Sequence, residues 1–397
     1  MNIQLIETAK TPGHVLSIGA FFVKSGLERA GHQVTIVDLP QTGFDVEMFS
    51  VHHVTDFRAV VTMPQQSPIR ICGGHALYTN PRPLIPFSDY LFLGEWDTGF
   101  QHAEIIPKAA PAIIAKDAWQ KGSPLPPYRI ETPLPQLLPY LNHDETGSAA
   151  WYIEIARGCP FACHYCELGH SVNYRRYAKS SILAAIDACD FSKTRKINFF
   201  APDEASHPDY AELLDYVLSK GAFPSGFASM RMDTVQRLST LRRNTLIRCG
   251  VDGLTESTRQ RVGKQITNNM LFDHFERLTQ AGHTNFKLFM IFGYEWEVLS
   301  DFDEFEKTMR RIFALPLKKN VSLRIKWTPF IPQPSTPLAR SIPRYDRAMI
   351  AKIERFHTLF ARPKRTPGFF VENDGLMAEH THKHQCELNV ADEDYFL

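Results

Sequence analysis

The sequence predicts an α/β protein with a doubly wound parallel sheet at its N-terminus, a large strand–helix barrel after it, and a short helical C-terminal tail. Three observations carry this. Short apolar runs alternate with helical spacing over residues 1–104, and a longer, more regular alternation fills 150–338. Between them, Pro107, Pro111, Pro124, Pro126, Pro127, Pro133, Pro135 and Pro139 punctuate residues 105–149. Proline fixes φ and lacks the N–H that a helix needs, so this stretch reads as an extended connector. Residues 339–397 are left as the tail. Strand–helix–strand alternation implies parallel pairing.

In the N-terminal unit, residues 2–7 form the first strand candidate. Leu16, Ile18, Phe21, Phe22, Val23 and Leu27 then recur at helical spacing, and the helix stops at Ala30-Gly31. The next strand is 32–39, and 45–53, 68–74 and 90–94 supply three more short apolar runs. In the large unit, strands are read at 152–156, 196–200, 225–229, 246–251, 286–292 and 322–328. Helices are read between them at 181–190, 208–220, 234–242, 268–282 and 301–314. In the tail, Met349, Ile350, Ile353, Phe356, Leu359 and Phe360 give 345–361 the apolar stripe of a helix that caps the barrel mouth. His380, His382, His384 and Cys386 follow; they have ligand chemistry but read as a polar tail.

Composition excludes several classes. Lys+Arg of 44 against Asp+Glu of 43 leaves a formal charge of +1, so no global field calls for nucleic acid or an anionic membrane. No apolar run is long enough for a membrane span, and the first residues carry no secretory pattern. Seven cysteines, three of them clustered, fit a reducing cytoplasm better than a disulfide framework.

Those three cysteines carry the chemistry. The 152–156 strand runs into Arg157-Gly158, and Cys159, Cys163 and Cys166 follow at once as Cys-x3-Cys-x2-Cys. Thiolates crowded this closely suit zinc or an iron–sulfur centre. Zinc favours paired cysteines closed by a fourth ligand. Three thiols with no evident fourth point instead to a 4Fe–4S cluster with one iron open to a substrate or cofactor.

With Tyr165 just before the last cysteine, this loop resembles the signature of the radical S-adenosylmethionine (SAM) superfamily. The resemblance implies that the open iron chelates the amino and carboxylate groups of SAM. One electron then cleaves the sulfonium to methionine and a 5′-deoxyadenosyl radical, which takes hydrogen from a substrate. It also implies a partial (β/α)6 barrel with its chemistry at the carboxyl ends of the strands, and a one-electron reductant such as flavodoxin or ferredoxin.

Further stretches resemble the family's SAM-holding segments. Asp203 and Glu204 stand where the family receives the SAM amino group, and Ser229 and Arg231 resemble its pair for ribose and carboxylate. Residues 250–256 resemble the segment bearing an acid for the ribose hydroxyls, with Asp252 where glutamate is commoner and Glu256 able to share the role. Ile291, Gly293 and Glu297 resemble the adenine-contacting stretch, with Glu295 replacing the usual proline.

Upstream, residues 73–81 and 91–95 resemble the last crossover of the cobalamin-binding-type domain that precedes the barrel in one subclass. That domain is abbreviated here: the chain between Asp38 and Gly73 is short enough to lack a helix, and there is no Asp-x-His-x-x-Gly. Cobalamin binding and a scaffold-only domain both stand, with His52, His53 and His75 read as capping or surface residues.

Three functions follow. The first is hydrogen abstraction leading to rearrangement or isomerisation. The second is cobalamin-dependent C-methylation, and the third is a non-enzymatic iron–sulfur binding or electron-transfer protein. If the basic pairs Arg175-Arg176, Arg242-Arg243, Arg310-Arg311, Lys318-Lys319 and the cluster at 362–365 lined the mouth, a nucleotide or nucleic acid would be the substrate. Cys249, Tyr165 and Tyr174 are candidate hydrogen donors to a product radical.

Overall fold

Five apolar runs pair in parallel at the N-terminal end of the computed structural model, which describes residues 1–8, 17–95, 112–126, 134–143, 148–224, 230–232, 234, 246–361 and 368–397. They are β1 (Asn2–Glu7), β2 (Gln33–Val37), β3 (Val46–Ser50), β4 (Ile69–Gly73) and β5 (Tyr90–Phe92), with β6 (Ile113–Ala115) antiparallel at the edge. The order is β2-β1-β3-β4-β5-β6, so the sheet reaches past residue 104 into the expected connector. Helix α1 (Ile18–Arg29) starts where the Ser17 hydroxyl accepts from the Ala20 N–H. Ile3, Leu5, Val46 and Met48 are buried beside Leu27 on one face, and Ile6, Phe49 and Cys72 beside Phe57 and Val60 on the other. A sheet covered on both faces yields continuous apolar runs, which is why its strands were legible. The β2–β3 connection, 38–45, holds no helix, as the short spacing suggested; α2 (Phe57–Thr62) is the one α-helix between Asp38 and Gly73, and α3 (Ala76–Thr79) follows β4. The abbreviation thus removes a helix and leaves the sheet whole.

The large unit opens with β7 (Tyr140–His143), antiparallel to β8 (Ala149–Glu154). Short β9 (Ala156–Arg157) and β10 (Arg175–Arg176) pair across the cysteine loop, which contains α4 (Leu168–Ser171). Then come α5 (Lys179–Asp187), β11 (Lys196–Phe200), α6 (Tyr210–Ser219), β12 (Phe223–Pro224) and β13 (Met230–Arg231). The strand expected at 225–229 and most of the helix at 234–242 lie outside the described residues. The chain continues through β14 (Ile247–Gly250), α7 (Glu256–Arg261), α8 (Asn268–Gln280), β15 (Asn285–Phe292), α9 (Leu299–Phe313), β16 (Val321–Pro329) and α10 (Arg347–Phe360).

Burial alternates along β15 and β16. Phe286, Leu288, Met290, Phe292, Ile325 and Trp327 are buried, with rings meeting Phe275, Phe302 and Phe305 of the surrounding helices. The alternate residues face inward. Cys249 is buried with the first set, so its thiol belongs to the helical layer and is no donor to a radical in the lumen.

The tail differs from the expectation. β17 (Phe369–Leu376) adds a further parallel strand on β16, and α11 (Glu379–Val390) replaces the polar tail. That helix buries polar side chains that reach the barrel exit and the N-terminal unit. His382 Nε2 meets the Phe330 carbonyl at 2.9 Å, and Asn389 donates to the Pro332 carbonyl at 2.8 Å. Gln385 meets His53 at 2.8 Å, and Asn80 Nδ2 donates at 2.8 Å to the carbonyls of both Leu388 and Ala391. His382 therefore serves as a docking residue, not a metal ligand. No described helix is long and apolar enough to cross a membrane.

Asn80→Ala is expected to cost about 1–3 kcal/mol, because two buried carbonyls lose their donor. Urea unfolding and hydrogen exchange across 379–391 check this; unchanged protection there contradicts the docking role.

Candidate active site

The cysteine loop is folded back on itself so closely that two positions have no room for a side chain. A Cβ at Gly158, where φ is +67°, would lie 2.5 Å from the Asn173 carbonyl oxygen, and one at Gly169 would run into the Phe161 carbonyl. Cys166 N–H donates to the Cys163 carbonyl at 3.1 Å, and His164 N–H to that of Val262 at 3.0 Å. Burial raises the Cys159 thiol and pushes Cys166 up to about 11. A bound cationic centre reverses that preference, since a coordinating thiol is deprotonated outright. Among the described residues no three His, Cys, Asp or Glu side chains, the three cysteines included, are gathered closely enough to hold a single ion.

Arg231, at the end of β13, donates to Cys163 Sγ at 3.1 Å and lies 4.0 Å over the Phe161 ring. A buried guanidinium at that distance sets a positive charge directly against the sulfur. The Arg231 N–H and the Thr234 hydroxyl both donate to Asp203 Oδ1 at 3.1 Å. Cys163, Arg231 and Asp203 are thus brought together as the sequence suggested. Glu204 instead accepts from the Tyr210 hydroxyl at 2.8 Å beneath α6. Ser229 lies outside the described residues.

At the end of β14, Asp252 is the one described non-glycine residue in the left-handed region, with φ of 52°. The strain turns its carboxylate toward Tyr165, whose hydroxyl donates to Oδ2 at 2.7 Å. Lys264 donates to the same oxygen and, at 3.1 Å, to the Gly250 carbonyl. Lys264 was missed, because a single lysine in a loop carries no pattern. Glu256 does not join Asp252: it accepts from the Asn268 N–H at 2.8 Å and caps α8. Buried Arg259 ties this segment by donating to the Ile266 carbonyl at 2.7 Å and the Gly253 carbonyl at 3.2 Å.

Ile291 packs beside Tyr165, Tyr294 and Phe330 in an aromatic wall. Gly293 follows, its N–H donating to Glu297 Oε2 at 2.6 Å, while Glu295 accepts from the Ile342 N–H at 3.3 Å in place of the family's proline. Burial pushes Glu297 up to about 8, against the lowering effect of the Gly293 and Tyr294 N–H groups.

The N-terminal sheet meets this site directly. His75 Nε2 lies 2.8 Å from Glu167, the residue after Cys166, and Thr79 donates to the same carboxylate at 2.8 Å. Glu95 pairs with Arg157 at 3.2 Å and with Arg175. His53 caps a turn through Thr55, and His52 pairs with Glu7 at 3.1 Å. Of the basic pairs, Arg175 lies here against Glu95, whereas Arg310 on α9 pairs with Glu306 and Arg311 with Asn269; Arg242-Arg243 and 362–365 lie outside the described residues.

The radical SAM superfamily matches residues 153–310. The matched stretch runs from β8 to α9. That family implies a 4Fe–4S cluster, SAM and a one-electron donor; here Cys163 is buried beside the Arg231 guanidinium, with Cys159 and Cys166 half-buried in the same loop, a donor set that suits the cluster. In fold, the chain is similar to the radical SAM methyltransferase TsrM of Kitasatospora setae, solved with cobalamin and a [4Fe–4S] cluster bound. The TM-score is 0.63 at 12% identity, over 85% of this chain and 77% of that one. Likeness to the cobalamin-dependent SAM radical enzyme OxsB, solved with aqua-cobalamin, gives a TM-score of 0.54 at 14% identity. It covers 79% of this chain and 52% of that one, so the chain spans about half of OxsB. An uncharacterized protein of Methanocaldococcus jannaschii, MJ0966, is 22% identical over 315 residues, 74% of this chain and 68% of that one.

Because Glu297 is raised, the folded chain keeps it protonated up to about 8, while the unfolded chain ionises it from the ordinary glutamate range upward. Stability is expected to fall across that window by on the order of a few kcal/mol, and Glu297→Gln to remove most of the slope. Urea unfolding at stepped pH checks this; an unchanged slope in the variant contradicts it.

Proposed function

We propose that this chain cleaves SAM at a 4Fe–4S cluster held by Cys159, Cys163 and Cys166, and that cobalamin at the carboxyl edge of its N-terminal sheet makes it a C-methyltransferase. When bound, the reduced cluster supplies the electron that splits the sulfonium, and cobalamin carries methyl chemistry. Arg231, which also donates to Cys163 Sγ, suits the SAM carboxylate, and Asp203 suits the ammonium, as charge-assisted pairs require. Ser229 joins them at the ribose by family resemblance. Asp252, aimed by Tyr165 and Lys264, takes ribose hydroxyls. The Ile291–Gly293 edge meets adenine, and the Tyr294–Phe330 wall excludes water.

The observation that carries the cobalamin part is the contact between His75, Thr79 and Glu167. It sets the carboxyl edge of a doubly wound sheet against the cysteine loop, and ligands of such sheets bind at that edge. The likeness to TsrM and OxsB, spanning both units, supports it. A second reading, rearrangement without cobalamin, is favoured by the abbreviated N-terminal unit, which has no helix between β2 and β3. The reductant suited to either is a flavodoxin or ferredoxin.

Anaerobic reconstitution with iron, sulfide and hydroxocobalamin decides. Iron, stoichiometric cobalt, and both deoxyadenosine and S-adenosylhomocysteine on reduction with SAM are expected. Deoxyadenosine without bound cobalt overturns methylation, and zinc in place of iron overturns the whole reading. Cys163→Ala is expected to abolish the brown chromophore and SAM cleavage. Asp252→Ala is expected to weaken SAM binding about tenfold or more while sparing the cluster; unchanged affinity by calorimetry removes Asp252 from the site.

A further inference from the structure

The three cysteines of the loop do not meet the same surroundings. Cys159 and Cys166 are half-buried and accept from main-chain N–H groups, those of Phe161 and Leu168. Cys163 is buried, and a side chain reaches it: Arg231 Nη1 donates to its Sγ at 3.1 Å. A guanidinium N–H on sulfur is a charge-assisted contact, and burial lets little solvent screen it. The chemistry proposed above asks Arg231 only to receive the SAM carboxylate, so the contact with sulfur has no role in it.

The contact is held at both ends of the arginine. Arg231 closes β13, and its pairing with Gly250 of β14 fixes where the side chain begins. Its own N–H donates to Asp203 Oδ1 at 3.1 Å, and the Thr234 hydroxyl lies 2.8 Å from its carbonyl. At the other end the guanidinium lies 4.0 Å over the ring of Phe161, a residue of the cysteine loop itself. Strand and loop thus each grip one end, and the fork arrives at Cys163 between them. What the remaining N–H groups of the fork meet does not alter this contact.

We infer that Arg231 raises the reduction potential of the 4Fe–4S cluster by holding a guanidinium N–H on the sulfur of one of its ligands. Hydrogen bonds to the sulfurs and nearby charge are among the levers that set such a potential. One electron passes from the flavodoxin or ferredoxin, which is oxidised, to the cluster, which is reduced and gains a unit of negative charge. The guanidinium keeps its proton in both states, so the electron moves alone. Its N–H is a stronger partner for the sulfur of the more negative, reduced form, and that difference favours reduction. The inference rests on the radical SAM reading for the cluster and on the contact with Cys163 for the residue.

The test is a potentiometric titration, followed by electron paramagnetic resonance, of the full chain reconstituted anaerobically and kept free of SAM. Leaving SAM out separates the contact with sulfur from any contact with the SAM carboxylate. Arg231→Met is expected to lower the potential, cutting the ratio of reduced to oxidised cluster about tenfold at a fixed poise, which is about 59 mV for a one-electron couple. Arg231→Lys, which keeps a charged donor, is expected to recover most of that shift. Phe161→Leu removes the ring under the guanidinium and is expected to shift the potential the same way by less. Iron and sulfide are assayed on every sample. A wild-type potential in Arg231→Met at full iron content overturns the inference. Should that variant hold no iron, Phe161→Leu decides, and an unchanged potential there overturns it. A wild-type chain that assembles no cluster overturns the radical SAM reading instead, and shows before any titration begins.

Discussion

Three thiols can face a single cofactor only if the backbone carrying them turns tightly enough to point them the same way. Gly158 and Gly169 are where this chain meets that demand, each lying too close to another backbone carbonyl for a side chain. The loop so formed does not stand alone. His164 is tied to the segment after α7, Leu338 N–H donates to the His164 carbonyl at 3.2 Å, and Glu167 is held by the N-terminal sheet. Strand ends, barrel exit and N-terminal unit are therefore all fixed relative to one short stretch of cysteines.

That arrangement explains why the acids of the site fare differently. Asp203 and Asp252 lie within three residues of a strand end and meet partners that touch or belong to the loop, Arg231 and Tyr165. Glu204 and Glu256 lie further along their segments and are taken up by Tyr210 and by the start of α8. Position relative to the strand end, not residue type, separates the carboxylates that face the cysteine loop from those that do not.

Much of the fold was legible because burial imposed regular patterns. β15 and β16 alternate strictly, and the buried sheet of the N-terminal unit gave plain apolar runs. β17 was not legible, since Asn373 and Gly375 fall where alternation after Phe369 and Val371 would require apolar residues. α11 was hidden for a related reason: its buried face holds His382, Gln385 and Asn389, chosen to reach carbonyl groups rather than to shun water. In the site, motif residues were found by their order in the chain, but Lys264 exists as a feature only once strands are placed side by side.

The account depends on a cluster with one iron that no protein atom binds. Electron–nuclear double resonance on the reduced, reconstituted chain with SAM labelled at its amino nitrogen tests this most directly. Strong coupling of that nitrogen to the cluster is the predicted result. A cluster that shows no coupling, with all four irons ligated by the protein, would contradict the account.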